Sequence, residues 1–120
     1  MTNGQTRAIL YARKSSKADR GEEQSASVAD QLERCRAYAQ DHGWEVVAEN
    51  HDDGRSGLLG RARRPGLDAT LDVVEARDAD VLVTLWTSRL SRKESDRAQI
   101  LDVLDEFDVD WHAVADGGRI

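Results

Sequence analysis

The hydrophobic positions of this chain follow two different periods in turn. Short apolar runs predict four strands, at residues 7–12, 44–50, 79–86 and 109–115. Between these runs, apolar residues recur every three or four positions, as in a helix that packs one face on a core. The run from Ala79 to Trp86 is apolar almost throughout, which is typical of a strand that is buried on both faces.

Three helices are predicted between the strands. Their ends carry the usual signals, which are an N-capping serine (Ser25 or Ser27), a terminating glycine (Gly43), a first-turn proline (Pro65) and a capping-box pair (Ser91 and Glu94). Alternating strands and helices favour a mainly parallel sheet covered by helices on both sides. We therefore expect an α/β fold of three αβα layers with at least four strands.

Length and composition fit one soluble domain. The 120 residues are enough to bury a core but too few for two domains, and 39% of them are hydrophobic while 33% are charged. No apolar run is long enough to span a bilayer, and the first residues show no signal segment. The single cysteine, Cys35, suits a reducing compartment and is expected to pack in the core. These features predict a cytoplasmic protein without membrane contact.

Charge is distributed unevenly along the chain. The net charge of −6 argues against a simple basic module for nucleic acids, yet 14 of the 17 cationic side chains are arginines. The segment from Gly54 to Arg64 holds four arginines and no acid. Because a guanidinium group can bind phosphate through two parallel hydrogen bonds, this bias is compatible with a phosphate-containing ligand.

Candidate functional residues lie after the predicted strands. The polar residues at these positions are Arg13, Ser15 and Ser16 after the first strand, Asp52, Asp53, Arg61, Arg63 and Arg64 after the second, and Ser88, Arg89 and Arg92 after the third. Parallel sheets bind ligands beyond the carboxyl ends of their strands, and the N-terminus of a helix favours anions. The sequence therefore predicts an anion site, most simply for phosphate, at this edge.

Several chemistries remain open for such a site. No GxxxxGK[ST] or GxGxxG loop is present, so nucleotide hydrolysis and dinucleotide binding lack their phosphate cradles. The run His51-Asp52-Asp53 could hold a divalent cation for phosphoryl transfer. In a metal-free alternative, Ser15 attacks a phosphodiester while arginines stabilise the charge that develops on phosphorus. Ser15 could also be no more than a turn residue at the end of a strand.

The motifs at this edge resemble those of the serine recombinases. Residues 11–15 (YARKS) resemble the Y-x-R-x-S signature, residues 53–57 (DGRSG) the D-x-x-S-G turn, residues 63–67 (RRPGL) the segment with the family's second catalytic arginine, and residues 86–92 (WTSRLSR) the D-R-L-x-R motif, while Gln31 falls at the family's active-site glutamine. Their order and spacing agree along essentially the whole chain. The long polar stretch between Ser16 and Ser27 is most similar to that of the large serine integrases and transposon recombinases.

This resemblance implies an enzyme for site-specific recombination of double-stranded DNA. Ser15 would attack a phosphodiester to form a 5′-phosphoserine intermediate, after which strands exchange and 3′-hydroxyls reseal, with no cofactor and no metal. The implied catalytic residues are Ser15, Arg13, Arg64, Arg89, Arg92, Gln31 and Asp53. The resemblance also implies a homodimer that assembles into a synaptic tetramer. Residues 1–120 would be one catalytic domain, with an oligomerisation helix and a DNA-binding region expected beyond residue 120.

Ser88 departs from the family pattern, which has aspartate at the start of D-R-L-x-R. A hydroxyl group cannot hold a guanidinium bidentately and cannot act as a carboxylate acid or base. An alternative function is therefore a recombinase-like domain that does not cleave DNA and acts in oligomerisation or regulation. A metal-dependent phosphoryl-transfer domain is the third possibility.

Overall fold

The computed structural model describes residues 5–14, 27–53, 64–86 and 94–120, and of Asp53 only the backbone. Its elements are β1 (Arg7–Lys14), α1 (Val28–Asp41), β2 (Glu45–Asp53), α2 (Pro65–Glu75), β3 (Val81–Thr84), α3 (Glu94–Glu106), β4 (Asp110–Ala113), a 3-10 helix (Val114–Asp116) and β5 (Gly118–Arg119). No helix among these residues is long and apolar enough to cross a membrane.

Strand β1 is an interior strand of the sheet, whose strand order within the described residues is β2-β1-β3-β4-β5. It pairs in parallel with β2 on one side and with β3 on the other, and β4 continues in parallel from β3. Residues 8–12 of β1 are completely buried. A strand covered on both faces loses the polar–apolar alternation of a surface strand, which explains the unbroken apolar run in the sequence.

Two apolar clusters join the sheet to the helices on its two faces. On one face, α2 and α3 pack through a cluster formed by Ile9, Tyr11, Leu67, Leu71, Val74, Ala79, Leu82, Ile100, Leu104, Val109 and Trp111. On the other face, α1 packs through Ala8, Leu10, Cys35, Ala39, Val81, Val83, Leu85 and Trp86. This arrangement confirms the three-layer αβα fold. Burial raises the pKa of the Cys35 thiol to about 12, in agreement with a packing role for that side chain.

A bulge at Val47 changes which face the end of β2 presents. Ala8 pairs with Val46 but Ile9 pairs with Ala48, so one residue of β2 is left over. As a result Val46 packs on the α1 side and Ala48 packs on the α2 side, although both have even numbers. Every residue after the bulge is therefore on the opposite face from the one that strict alternation would give.

The start of α1 agrees with the sequence prediction, whereas the last residues form a strand that the sequence does not predict. Helix α1 is capped by Ser27, whose Oγ accepts a hydrogen bond from the Asp30 N–H at 3.0 Å. The sequence pattern does not predict β5, in which the chain returns after Gly117 to pair antiparallel with β4. Positive φ angles of 100° at Gly117 and 95° at Gly118 permit this reversal. Of the predicted capping box, Ser91 lies outside the described residues.

Four rings form an aromatic cluster where α1 ends near β4, namely Tyr38, His42, Trp44 and His112. His42 lies between Tyr38 and Trp44, with ring centroids 4.3 and 4.5 Å away. The Tyr38 hydroxyl is 2.8 Å from Nδ1 of His112, which can accept its hydrogen bond only while that histidine is neutral. Burial lowers the pKa of His112 and the nearby His42 lowers it further; Asp110 opposes this shift and Arg119 adds to it.

Acidification should destabilise the domain through His112. The unfolded chain protonates His112 at higher pH than the folded protein does, because the pKa of this side chain is lower in the folded state. The free energy of unfolding therefore has its full value above the unfolded pKa of about 6.5 and decreases as pH falls through the lower folded pKa. Urea unfolding of wild type and His112→Gln from about pH 8 to about pH 5 measures this effect. The variant, which does not titrate at this position, should lose less stability. Equal losses in both proteins would contradict the assignment to His112.

Candidate active site

Seven residues were predicted for the site, and the structure describes the side chains of three. Arg13 is in β1, Gln31 is in α1, and Arg64 directly precedes α2. Ser15, Arg89 and Arg92 lie outside the described residues. Asp53 ends β2, where its backbone pairs with that of Lys14 in the neighbouring strand.

Arg64 is a fully buried cation at the entrance to α2. Its Nη2 donates a hydrogen bond to the Tyr11 hydroxyl at 2.8 Å, and its Nε lies 3.3 Å from the same oxygen. The guanidinium carbon is 5.4 Å from the centroid of the Tyr11 ring. Tyr11 therefore fixes the guanidinium both through its hydroxyl and through its ring.

Asp52 supplies the negative charge for this cluster and caps α2 from outside the helix. Its Oδ1 accepts from the Gly66 N–H at 2.8 Å, and its Oδ2 accepts from the Leu67 N–H at 2.9 Å. Oδ2 also accepts from the Tyr11 hydroxyl at 2.6 Å. A carboxylate is favoured here because the first N–H groups of a helix have no partner within it and carry partial positive charge.

The close approach of α2 to β2 requires glycine at position 66. A Cβ atom added there would be 2.1 Å from the backbone oxygen of His51 and 3.1 Å from Cγ of Asp52. The first distance is a severe clash with backbone, which cannot move aside as a flexible side chain can. Gly66 thus lets the helix begin against the carboxyl end of β2, within reach of the Asp52 carboxylate.

Tyr11 stays protonated between its two charged neighbours. Burial raises the pKa of its hydroxyl far above the usual value; Arg64 lowers it, while the hydrogen bond and charge of Asp52 raise it. Because the carboxylate can only accept, the Tyr11 proton points at Asp52 and the oxygen lone pairs accept from Arg64. The hydrogen bonds therefore run in one direction, from guanidinium to hydroxyl to carboxylate.

Arg13 and Gln31 meet at the end of β1. The Gln31 side-chain amide donates from Nε2 to the Arg13 carbonyl at 3.0 Å, and its Oε1 lies 3.4 Å from the Arg13 N–H. It pairs with this backbone as a neighbouring strand would, and both residues are completely buried. Strand alternation places Arg13 on the same face as Ile9 and Tyr11, and hence on the face that carries Arg64.

Two residues of the site are not among the seven predicted catalytic residues. The sequence places Tyr11 only in a motif, and Asp52 only among the polar residues after the second strand and in a possible metal site. A detectable signal was an acidic residue at a strand end followed by a Pro-Gly helix start, since such a helix needs an acceptor for its first N–H groups. Both Asp52 oxygens accept from these donors. Among the described residues, no group of three or more His, Cys, Asp or Glu side chains could hold a metal ion.

The comparison with solved structures finds serine recombinase catalytic domains. The N-terminal catalytic domain of TP901-1 integrase has a TM-score of 0.81 and 24% identity, with 93% of this chain and 79% of that chain covered. The C-terminal catalytic domain of ISC1926 TnpA, an IS607-like serine recombinase, has a TM-score of 0.75 and 30% identity, with 90% and 70% covered. A resolvase family site-specific recombinase from Streptococcus pneumoniae has a TM-score of 0.74 and 22% identity, with 96% and 76% covered.

Sequence comparison with known families gives one result and comparison with curated proteins gives none. No curated protein matches the chain. The family model of the resolvase N-terminal domain matches residues 8–119, which include every described strand of the sheet except the first residue of β1. This chain therefore belongs to the resolvase N-terminal domain family, the catalytic domain of the serine recombinases.

Proposed function

We propose that this domain catalyses site-specific DNA recombination with Ser15 as its nucleophile. The observation that carries the proposal is the buried Arg64 guanidinium, which Tyr11 holds on the face of β1 that also bears Arg13. Strand β1 leads directly to Ser15, and the family of the chain acts in recombination. A seryl nucleophile beside guanidinium groups fits attack on a phosphodiester better than acyl transfer, which relies on a histidine base.

The proposed reaction exchanges one phosphate ester for another. The Ser15 oxygen loses its proton and bonds to phosphorus, the bond from phosphorus to the 3′ oxygen breaks, and that oxygen takes up a proton. The DNA is then cut, with its 5′-phosphate attached to serine. After strand exchange, a 3′-hydroxyl attacks the phosphoserine and releases the enzyme. Because each step keeps an ester of similar energy, neither a nucleotide nor another cofactor is needed.

The arginines would stabilise the charge that develops on the phosphate oxygens. Arg13 and Arg64 are held in the described part of the edge, and we assign Arg89 and Arg92 to the same function. Asp53 and Gln31 complete the proposed set, with Gln31 acting through the backbone of Arg13. Preorganised donors in a water-poor site are among the strongest contributions to catalysis, because they need no reorganisation as charge appears.

The proposal extends to assembly. The family acts on DNA as an oligomer, and we propose a homodimer that forms a synaptic tetramer in the cytoplasm, with the oligomerisation helix and DNA-binding region beyond residue 120. Ser88, where the family has aspartate, is the one observation that favours the alternative of a recombinase-like domain without cleavage activity. The first experiment below distinguishes these two functions.

The covalent intermediate should form on Ser15. Full-length protein incubated with DNA carrying its recombination site should give a protein–DNA adduct, which peptide mapping assigns to this residue. Ser15→Ala should abolish the adduct while leaving DNA binding intact, because only the nucleophilic oxygen is removed. An adduct that persists in Ser15→Ala, or that maps to Ser16, would overturn the assignment. Wild-type protein that binds the site without forming any adduct would favour the alternative function.

Replacing Arg64 with lysine should slow cleavage by about 10²–10³-fold, since an ammonium group cannot bind Tyr11 and a phosphate oxygen with the same fork. The measurement is the single-turnover rate of adduct formation at saturating protein. Arg36→Lys is the matched control, because Arg36 forms a bidentate pair with Glu49 on the surface. The control should cleave at the wild-type rate. Similar rates for the wild type and Arg64→Lys would exclude Arg64 from the reaction.

Cleavage should proceed in EDTA, because the arginines supply the positive charge that a metal ion supplies in other phosphoryl-transfer enzymes. Adduct formation is compared after exhaustive chelation and after addition of magnesium. Equal rates are expected. A requirement for magnesium would contradict metal-free cleavage and would favour a metal site at the acidic end of β2.

A further inference from the structure

We propose that Asp52 is a positioning residue for Arg64. This inference rests on the proposed function for its catalytic consequence, although the contact itself does not depend on it. Asp52 acts on Arg64 by two routes, one through the Tyr11 hydroxyl and one through the start of α2. Neither the family motifs nor the predicted active-site set includes this residue.

The first route fixes the side chain of Arg64. Asp52 Oδ2 accepts a 2.6 Å hydrogen bond from the Tyr11 hydroxyl, and the lone pairs of the tyrosine oxygen are then oriented toward Arg64. Two guanidinium nitrogens of Arg64, Nη2 and Nε, converge on that oxygen. Without the carboxylate, the hydroxyl could rotate and present its proton to the guanidinium, which would repel it.

The second route fixes the backbone of Arg64. This residue is the N-cap of α2, and its carbonyl accepts the first helical hydrogen bond from Asp68 at 2.9 Å. Its own side chain makes no capping hydrogen bond. The Asp52 carboxylate binds the next two N–H groups instead, those of Gly66 and Leu67. The Cα of Arg64 is thereby tied to the end of β2.

The contact between Asp52 and Arg64 is indirect. The nearest Asp52 oxygen is 4.0 Å from Nε of Arg64, and the Tyr11 hydroxyl hydrogen-bonds to both groups. Even at this distance the carboxylate offsets part of the unfavourable burial of the cation.

Asp52→Asn is the diagnostic variant, because it keeps the shape of the side chain but replaces one acceptor oxygen by an NH₂ group. Cleavage and DNA binding are measured separately in the full-length protein, as a single-turnover rate at saturating protein and as a Kd. We expect the rate to fall by about 10–10²-fold with little change in Kd, as for loss of an interaction made in the transition state.

Val74→Ala is the matched control for a purely structural effect. Val74 is fully buried in α2 and packs in the same cluster as Tyr11, but it makes no polar contact with the site. Urea unfolding shows whether the two variants are destabilised alike. If Asp52 acts only through stability, Val74→Ala should slow cleavage as much as Asp52→Asn does, and that result would overturn the proposal.

A double-mutant cycle identifies the residue through which Asp52 acts. In the Arg64→Lys background, Asp52→Asn should cost no more than about 3-fold in rate, because the group it positions has already been removed. Full additivity of the two effects would mean that Asp52 acts elsewhere and would overturn the proposal.

A readout without DNA separates this inference from the proposed function. The Arg64 Nε–H, observed by NMR, should exchange slowly with solvent in wild type and at least about 10-fold faster in Asp52→Asn, since its acceptor is no longer held. Unchanged exchange would overturn the positioning role. Loss of protection in a protein whose wild type cleaves no DNA would support the positioning contact while contradicting the proposed function.

Discussion

A guanidinium group removed from water stays charged only where the protein supplies acceptors and an opposite charge nearby. Arg64 is completely buried, and Tyr11 with Asp52 provides both. The same carboxylate binds the first N–H groups of α2, so the position of that helix, the end of β2 and the orientation of one arginine are set together. Breaking this contact would leave the N–H groups of Gly66 and Leu67 without this acceptor and would remove one negative charge from beside the buried cation.

On the other face of the sheet, α1 holds the end of β1 through uncharged hydrogen bonds. The Gln31 amide pairs with the backbone of Arg13 on both its N–H and its carbonyl side. A side-chain amide can do this because it carries a donor and an acceptor in the geometry of a peptide group. Helices on opposite faces of the sheet therefore hold adjacent parts of the same edge, one through charge and one through peptide-like hydrogen bonds.

Negative charge elsewhere does not conflict with an anionic substrate. The acidic residues of α3, including Asp102, Asp105 and Glu106, are exposed on the surface of that helix and not at the strand ends. The distribution of charge therefore matters more than the net value of −6. Local fields at a low-dielectric edge act on a bound phosphate at short range, whereas distant surface charges are screened by salt.

The sequence by itself determined the layer architecture, the order of the elements and the edge where Arg13 and Arg64 lie, because periodicity and parallel connections depend on local pattern. It did not determine β5, whose pairing depends on a reversal at two glycines. Nor did it show that Asp52 faces Tyr11. Strict alternation from Val46 puts Asp52 on the α1 side, and only the bulge at Val47 turns it toward α2. A one-residue register shift is a property of the paired strands, so only the tertiary structure brings the Asp52 carboxylate to Tyr11 and Arg64.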